Sequence, residues 1–214
     1  VKLWYVDTGV EIASLNGHDK DVFGLTFSHS SKMLATASFD ETVRLWDINR
    51  IFNQHNVIMN PDTVRSVVLS DDGNYLVYGG LDKRVHIQEI NVDKHSLVGD
   101  SRSPKFPEWS FLQSVAISPD NKYVAYGSAD DRIRLWEHKS TDPIKLLGHS
   151  GDGLCVTFSP DKDSTLLASG SSDGNIRIWK MSEIEQGSIT PFTTLKGMHK
   201  DKVRSIAFSS DSKW

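Results

Sequence analysis

One seven-residue pattern recurs along the chain and restricts its fold more than any other feature. It reads VFGLTFS at 22–28, VRSVVLS at 64–70, LQSVAIS at 112–118, GLCVTFS at 153–159 and VRSIAFS at 203–209. A second block follows each of the first four: LATASFDETVRLWD, LVYGGLDKRVHIQE, VAYGSADDRIRLWE and LASGSSDGNIRIWK. With Gln88 standing in for a tryptophan, the column Trp4, Trp46, Gln88, Trp136 and Trp179 advances in steps of 42, 42, 48 and 43 residues. A repeat of that length is one supersecondary unit that must stack on its neighbours to bury its apolar faces.

Inside each repeat, short runs rich in Val, Ile, Leu, Phe and Tyr are separated by Asp, Gly, Ser and Asn, which is the composition of strands and turns. No window sustains a 3.6-residue apolar period, so helices are not expected. The stretch SDGN (172–175) predicts a two-residue hairpin, because Asp-Gly accepts the positive φ of a type I′ turn. The strand runs mix apolar residues with Ala, Gly, Ser and Thr, as in LATAS and LASGS. Small residues of that kind suit a sheet packed on both faces.

The bulk numbers exclude more than they assign. Of 214 residues, 38% are hydrophobic and 24% charged, as in ordinary globular proteins. A net charge of -4 offers no general attraction to nucleic acid or acidic membrane. No apolar run approaches the ~18 residues of a membrane helix, and VKLWYVDTG lacks the plan of a signal peptide. Cys155 is the single cysteine, so no internal disulfide can form; its apolar neighbours predict a buried, inert thiol. These observations point to an intracellular protein, cytoplasmic or nuclear, with no nucleic-acid or membrane partner.

Gly17-His18 with Trp46-Asp47, Gly148-His149 with Trp179, the S-x-D turns and the FSP/FSH strand ends resemble the WD-repeat β-propeller family over essentially the whole chain. The resemblance implies an all-β fold, a β-propeller of four-stranded antiparallel blades. In each repeat strand a is the VFGLTFS block, b the LATAS block, c the TVRLW block and d the run ending at Gly-His. The repeats run 1–18 (partial), 19–60, 61–108, 109–149, 150–199 and 200–214 (partial). The expectation is therefore a partial propeller of about four full repeats and two partial ones, a segment of a larger ring.

His18, Ser38 and Asp40 have the side chains of a nucleophilic triad. The set recurs, however, and travels with a tryptophan: His149, Ser171, Asp173 and Trp179 match His18, Ser38, Asp40 and Trp46. The third repeat keeps Ser128, Asp130 and Trp136, the second only Asp82, and the partial fifth only His199. Asn60, Gly80 and Gln88 fill the remaining columns of the second repeat, which is read as a weak point or a specialised surface. The family resemblance implies a buried hydrogen-bonded network running from Asp to His, His to Ser and Ser to the indole N–H. It would tie the d–a connection to the b–c turn, which share one end of the propeller. There is no G-x-S-x-G elbow, no H-x-x-x-H or CxxC, and no G-K-[ST]. No enzyme, metal site or cofactor is expected. The basic column Lys2, Arg44, His86, Arg134 and Arg177 reads as a local salt-bridge position, and 91–110 and 181–192 as long connections.

Family members present peptides or domains to one another on the end bearing the d–a and b–c connections. Phe23, Phe39, Arg65, Leu81, Trp109, Gln113 and Arg204 are the candidate partner-binding residues there. The expected function is a non-enzymatic protein–protein interaction scaffold within a complex. The expected ligand is a protein or peptide with a hydrophobic anchor and an acid. The alternative is the sensor or substrate-recruiting propeller of a larger NTPase or kinase.

Overall fold

Each repeat closes into one antiparallel sheet. A computed structural model describes residues 1–50, 55–91, 96–104, 110–140, 144–146, 148–161, 165–197 and 199–212. The first strands, β1 (Lys2–Trp4) and β2 (Glu11–Ser14), make a two-stranded sheet. Four blades follow, each with strands a to d in spatial order. Blade 1 is β3 (Val22–Phe27), β4 (Met33–Ser38), β5 (Thr42–Asp47) and β6 (His55–Met59). Blade 2 is β7 (Val64–Leu69), β8 (Tyr75–Gly80), β9 (Val85–Asn91) and β10 (Ser96–Arg102). Blade 3 is β11 (Leu112–Ile117), β12 (Tyr123–Ser128), β13 (Ile133–Glu137) and β14 (Ile144–Leu146). Blade 4 is β15 (Gly153–Phe158), β16 (Leu166–Ser171), β17 (Ile176–Lys180) and β18 (Thr193–Leu195). The arrangement is a partial β-propeller.

The small residues of strand b serve two-sided packing. β4 and β12 are buried at every position. One face of blade 1, with Met33, Ala35, Ala37, Val43 and Leu45, packs on Val64, Val67, Leu76 and Tyr78 of blade 2. Its other face sets Leu34 and Trp46 against Ala13, Leu15 and Leu3 of the β1–β2 sheet. The same scheme joins blades 2 and 3 through Val77, Ile87, Leu112 and Tyr126, and blades 3 and 4 through Leu135, Leu146, Leu167 and Trp179. The apolar core is thus divided into inter-blade layers, as expected of stacked repeats.

Strands β3, β7, β11 and β15 lie successively side by side, so strand a is the inner strand of each blade. All four carry a β-bulge near their N-terminal end, at Val22/Gly24, Val64/Ser66, Leu112/Ser114 and Gly153/Cys155. The residue after the bulge links blades. Ser66 Oγ accepts the Val115 N–H at 3.1 Å, and Ser114 Oγ accepts the Val156 N–H at 3.2 Å. Cys155 occupies the same column, 7% exposed, with its thiol 3.6 Å from the Val203 carbonyl oxygen. Burial pushes that thiol up to about 11 against the pull of a backbone hydrogen bond from Gly170, which keeps it protonated and inert.

Four sequence expectations need correction. Residues 203–209 do not form a strand: Val203 donates to the Ser171 carbonyl, and no strand b pairs with this segment among the described residues. Helical turns do occur, as a 3₁₀ turn at Ile48–Arg50 and as α1 (Met181–Glu185). Helix α1 is too short to give a period, and buries only Met181 and Ile184. The 91–110 connection contains β10, which absorbs its extra length by a register shift between Val98 and Arg102. The SDGN hairpin forms, but only Gly174, at φ 75°, has a positive φ, so the type I′ pair is not made. Glu41, Lys83 and Asp131 hold the corresponding left-handed position in the other three blades, at φ 68°, 63° and 65°.

Candidate functional site

The b–c turns and d–a connections meet at one end of the blades, and an aspartate organises each turn. Asp40 accepts the Thr42 N–H, Asp82 the Arg84 N–H and Asp173 the Asn175 N–H, the local closure typical of Asx turns. The remaining carboxylate capacity reaches outward to whatever cation or imidazole the blade offers, and the four blades answer differently.

In blade 1, His18 Nδ1 lies 2.8 Å from Asp40 Oδ2, and the Asp19 N–H donates to the same oxygen at 3.1 Å. His18 Nε2 meets Thr36 Oγ1 at 2.7 Å, and Trp46 Nε1 donates to Thr36 Oγ1 at 2.9 Å. The proton chain is self-consistent: indole N–H to Thr36, Thr36 O–H to Nε2, and Nδ1–H to the carboxylate. The relaying hydroxyl is therefore Thr36, which replaces the Ser38 of the sequence reading. Cross-strand register explains this. Trp46 sits opposite Leu34, and Thr36 opposite Arg44, one pair along on the same face. Ser38 is two pairs from Trp46, beyond reach. Its Oγ instead donates to the Lys20 carbonyl at 3.4 Å and accepts the Asp40 N–H at 3.1 Å. Burial would raise the Asp40 carboxyl, but hydrogen bonds from Thr42, His18 and the Asp19 backbone outweigh it and hold it down at about 2.

Blade 4 repeats the correction. His149 Nε2 meets Ser169 Oγ at 2.7 Å, whereas Ser171 Oγ donates to the Gly151 carbonyl at 2.8 Å. Asp173 faces His149 at 3.2 Å and also Arg177 at 2.8 Å, and Arg177 itself contacts His149 Nδ1. Burial, reinforced by the Arg177 charge and opposed by Asp173, lowers His149 to about 4 and keeps it neutral. Trp179 Nε1 is buried without a hydrogen-bond partner among the described residues, so the relay stops before the indole here.

Blades 2 and 3 lack the histidine and recruit strand c. Asp130 is held by Arg134, with Nη2 at 2.6 Å, and by Ser128 Oγ at 2.7 Å, while the Trp136 N–H goes to the Ser140 carbonyl at 3.2 Å. Asp82 is held by His86 at 2.6 Å, and His86 stacks on Tyr78 with ring centroids 4.8 Å apart. Gln88 donates to the carbonyls of Val98 and Gly99 on β10. The second repeat thus has its own tie. Gly80 stands in the serine column because a Cβ there would lie 1.9 Å from the Thr63 carbonyl oxygen. The basic column supplies local partners at Asp82, Asp130 and Asp173. His199, assigned to the network from sequence, is exposed and meets no turn aspartate among the described residues. The clasps join side chains of the d–a connection, the b–c turn and strands b and c; Ser38 and Ser171 are not joined to their histidines, which meet Thr36 and Ser169 instead.

Three of the candidate partner-binding residues lie at the bulges. Phe23, Arg65 and Gln113 are the extra residues of the inner-strand bulges, a device that re-aims side chains. Phe23 and Phe39 are 53% and 44% exposed with ring centroids 6.0 Å apart, and Lys20 Nζ lies 5.4 Å over the Phe39 ring. Arg65 donates to Gln113 Oε1 across blades 2 and 3 at 2.6 Å. Leu81 is half-buried on its b–c turn, and Arg204 is exposed. Trp109 lies outside the described residues. Sequence reasoning missed Phe111, 43% exposed with Lys83 Nζ 5.4 Å over its ring. Its position, one residue before strand a of blade 3, was the available signal. Leu25 and Phe27 continue an exposed apolar row down β3; Phe39, on the turn, lies outside that row.

Radial four-stranded blades tied by Asp-centred clasps define a repeat protein of the propeller class. The family model described as "WD domain, G-beta repeat" matches residues 9–47, 49–87, 105–137 and 141–180, and the chain belongs to that family. It is 24% identical over 210 residues to the human serine-threonine kinase receptor-associated protein, covering 97% of this chain and 57% of that one. It is 31% identical over 103 residues to the periodic tryptophan protein 2 homolog of Schizosaccharomyces pombe, covering 47% of this chain and 12% of the relative. It is 38% identical over 94 residues to pre-mRNA-processing factor 19 of Oryza sativa subsp. japonica, covering 43% and 18%. The chain thus spans between 12% and 57% of the length of these relatives. Among the described residues, no helix is long and apolar enough to cross a membrane, and no group of three or more His, Cys, Asp or Glu could hold a metal ion.

Proposed function

We propose that this chain is a non-enzymatic protein-interaction scaffold that takes a peptide or domain on the end carrying the b–c turns. The ligand inserts a hydrophobic side chain beside Phe39 and Phe23 and sets an acidic group against the neighbouring cations. The observation that carries the reading is Phe39: a large aromatic held exposed on a rigid turn, under the Lys20 ammonium, outside the rows that pack blade on blade. Exposed aromatics beside cations are the residue types that dominate binding energy at protein interfaces. Membership of the WD-repeat family supports the scaffold role. The test is recovery of partners by wild type and by Phe39→Ala/Arg65→Glu, compared quantitatively by mass spectrometry. At least one partner falls about tenfold or more with the variant, corresponding to ~1.4 kcal/mol. Unchanged recovery removes this face.

A further inference from the structure

We propose that a cavity between blades 2 and 3, at the end opposite the clasps, binds the cationic side chain of a protein partner, the ammonium of a lysine or the guanidinium of an arginine. The cavity, of ≈ 360 Å³, is formed where the a–b turns at Asp72 and Asp120 meet the start of the c–d connection at His138. Its walls are rich in acceptors and short of donors. Asp72, Asp120 and Glu137 bring three carboxylates, against the ammonium groups of Lys122 and Lys139. Lys122 is already committed to Glu185 at 2.7 Å, which leaves two negative charges in excess.

Two buried acceptors in the wall have no partner among the described residues: His138 Nδ1 and Asn121 Oδ1. Both assignments follow from neighbouring bonds. Asn121 Nδ2 donates to Asp72 Oδ2 at 2.7 Å, so the amide oxygen is the free end. His138 is 6% exposed and bonded to the Asn121 backbone through its other nitrogen, so Nδ1 is the acceptor of a neutral imidazole. Buried acceptors left open are costly, and a ligand rich in N–H groups closes them. A carboxylate or phosphate would meet acceptors and like charge, whereas an ammonium or guanidinium supplies three to five donors and the missing charge. Tyr75, tilted 52° against His138 with ring centroids 5.3 Å apart, adds an aromatic wall suited to a cation. Lys139 is the internal competitor.

The test uses NMR of the whole chain, observing His138 and Asn121, titrated with the capped peptide acetyl-Gly-Arg-Gly-amide, its lysine analogue and its norleucine analogue. The cationic peptides give saturable shifts and the norleucine peptide none. Glu137→Gln combined with Asp120→Asn weakens binding at least about tenfold, and Lys139→Ala strengthens it. Should Asp120→Asn lower the unfolding temperature, Glu137→Gln alone carries the comparison. Phe39→Ala leaves these shifts unchanged, which separates this site from the clasp-end face. Absence of saturable shifts with either cation would mean a cavity filled by water only and overturns the proposal. Equal shifts with norleucine, or wild-type affinity in the carboxylate variants, do the same. Tighter binding of free propylguanidinium than of the arginine peptide overturns the assignment to a protein side chain.

Discussion

Thr36 in blade 1 receives the Trp46 indole and meets His18 Nε2, while Ser38 two residues later accepts the Asp40 N–H of its own turn and donates weakly, at 3.4 Å, to the Lys20 carbonyl. Thr36→Val therefore removes the acceptor of the Trp46 indole and the hydroxyl that meets His18 Nε2, and lowers stability by about 1–3 kcal/mol. Ser38→Ala removes one turn bond and one long bond to the Lys20 carbonyl, and costs about 1 kcal/mol. Urea unfolding of both variants checks the order, and the reverse order would return the clasp to Ser38. Acid sensitivity follows from the same networks. His149 sits at about 4 in the folded chain against 6.5 unperturbed, chiefly through burial. Between pH 6.5 and 4 the unfolded chain takes up a proton that the folded chain refuses, so stability is full above 6.5 and falls across that window. The loss is on the order of 3 kcal/mol, and His149→Gln flattens it. Asp40, held at about 2 against 3.8, contributes stability that is full above 3.8 and lost as pH falls through 2. The histidine and aspartate columns were legible in the sequence because they recur at fixed offsets. The relaying hydroxyl was not, because both candidates lie on the same face of strand b, and only the register with strand c separates them.

At the scale of the element, the inner-strand bulge has two outputs. It takes Phe23, Arg65 and Gln113 out of the pairing with strand b, and it brings Ser66 and Ser114 against the next blade. Gly24 fills the column of Ser66 and Ser114 without a side chain, and a Cβ there would lie 3.3 Å from the Val67 nitrogen. Gly24→Ser reproduces the Ser66 and Ser114 bonds and stabilises the chain by about 1 kcal/mol. A higher urea midpoint at unchanged slope is the expected reading, and a lower one would show that blade 1 is too tightly packed for the link. Strand number and pairing were readable because apolar runs and turn residues repeat five times. Elements that depend on one repeat were not. Residues 203–209 have the composition of strand a, but among the described residues no neighbouring b strand supplies their ladder. Helix α1 owes its place to two residues, Met181 and Ile184, that cover the end of the blade 3–4 layer.

For the molecule as a whole, stacking places unlike surfaces at the two ends of the same blades. The clasp end carries exposed aromatics under lysines, and the opposite end an acceptor-lined cavity beneath the a–b turns. The first was partly visible in the sequence, since each residue could be placed by its column, although the Phe111–Lys83 pair was not. The second was invisible, because it depends on how the a–b turn of blade 2 meets blade 3, where two atoms, His138 Nδ1 and Asn121 Oδ1, stay unpaired among the described residues. Selection from a random peptide display library tests the central claim, that Phe39 and its neighbours form the docking face. Enriched peptides should pair a large apolar residue with Asp or Glu and bind Phe39→Ala/Arg65→Glu at least about tenfold more weakly, at unchanged unfolding temperature. Enriched acidic-apolar peptides that bind wild type and variant equally, or failure to enrich any such peptide, would contradict it.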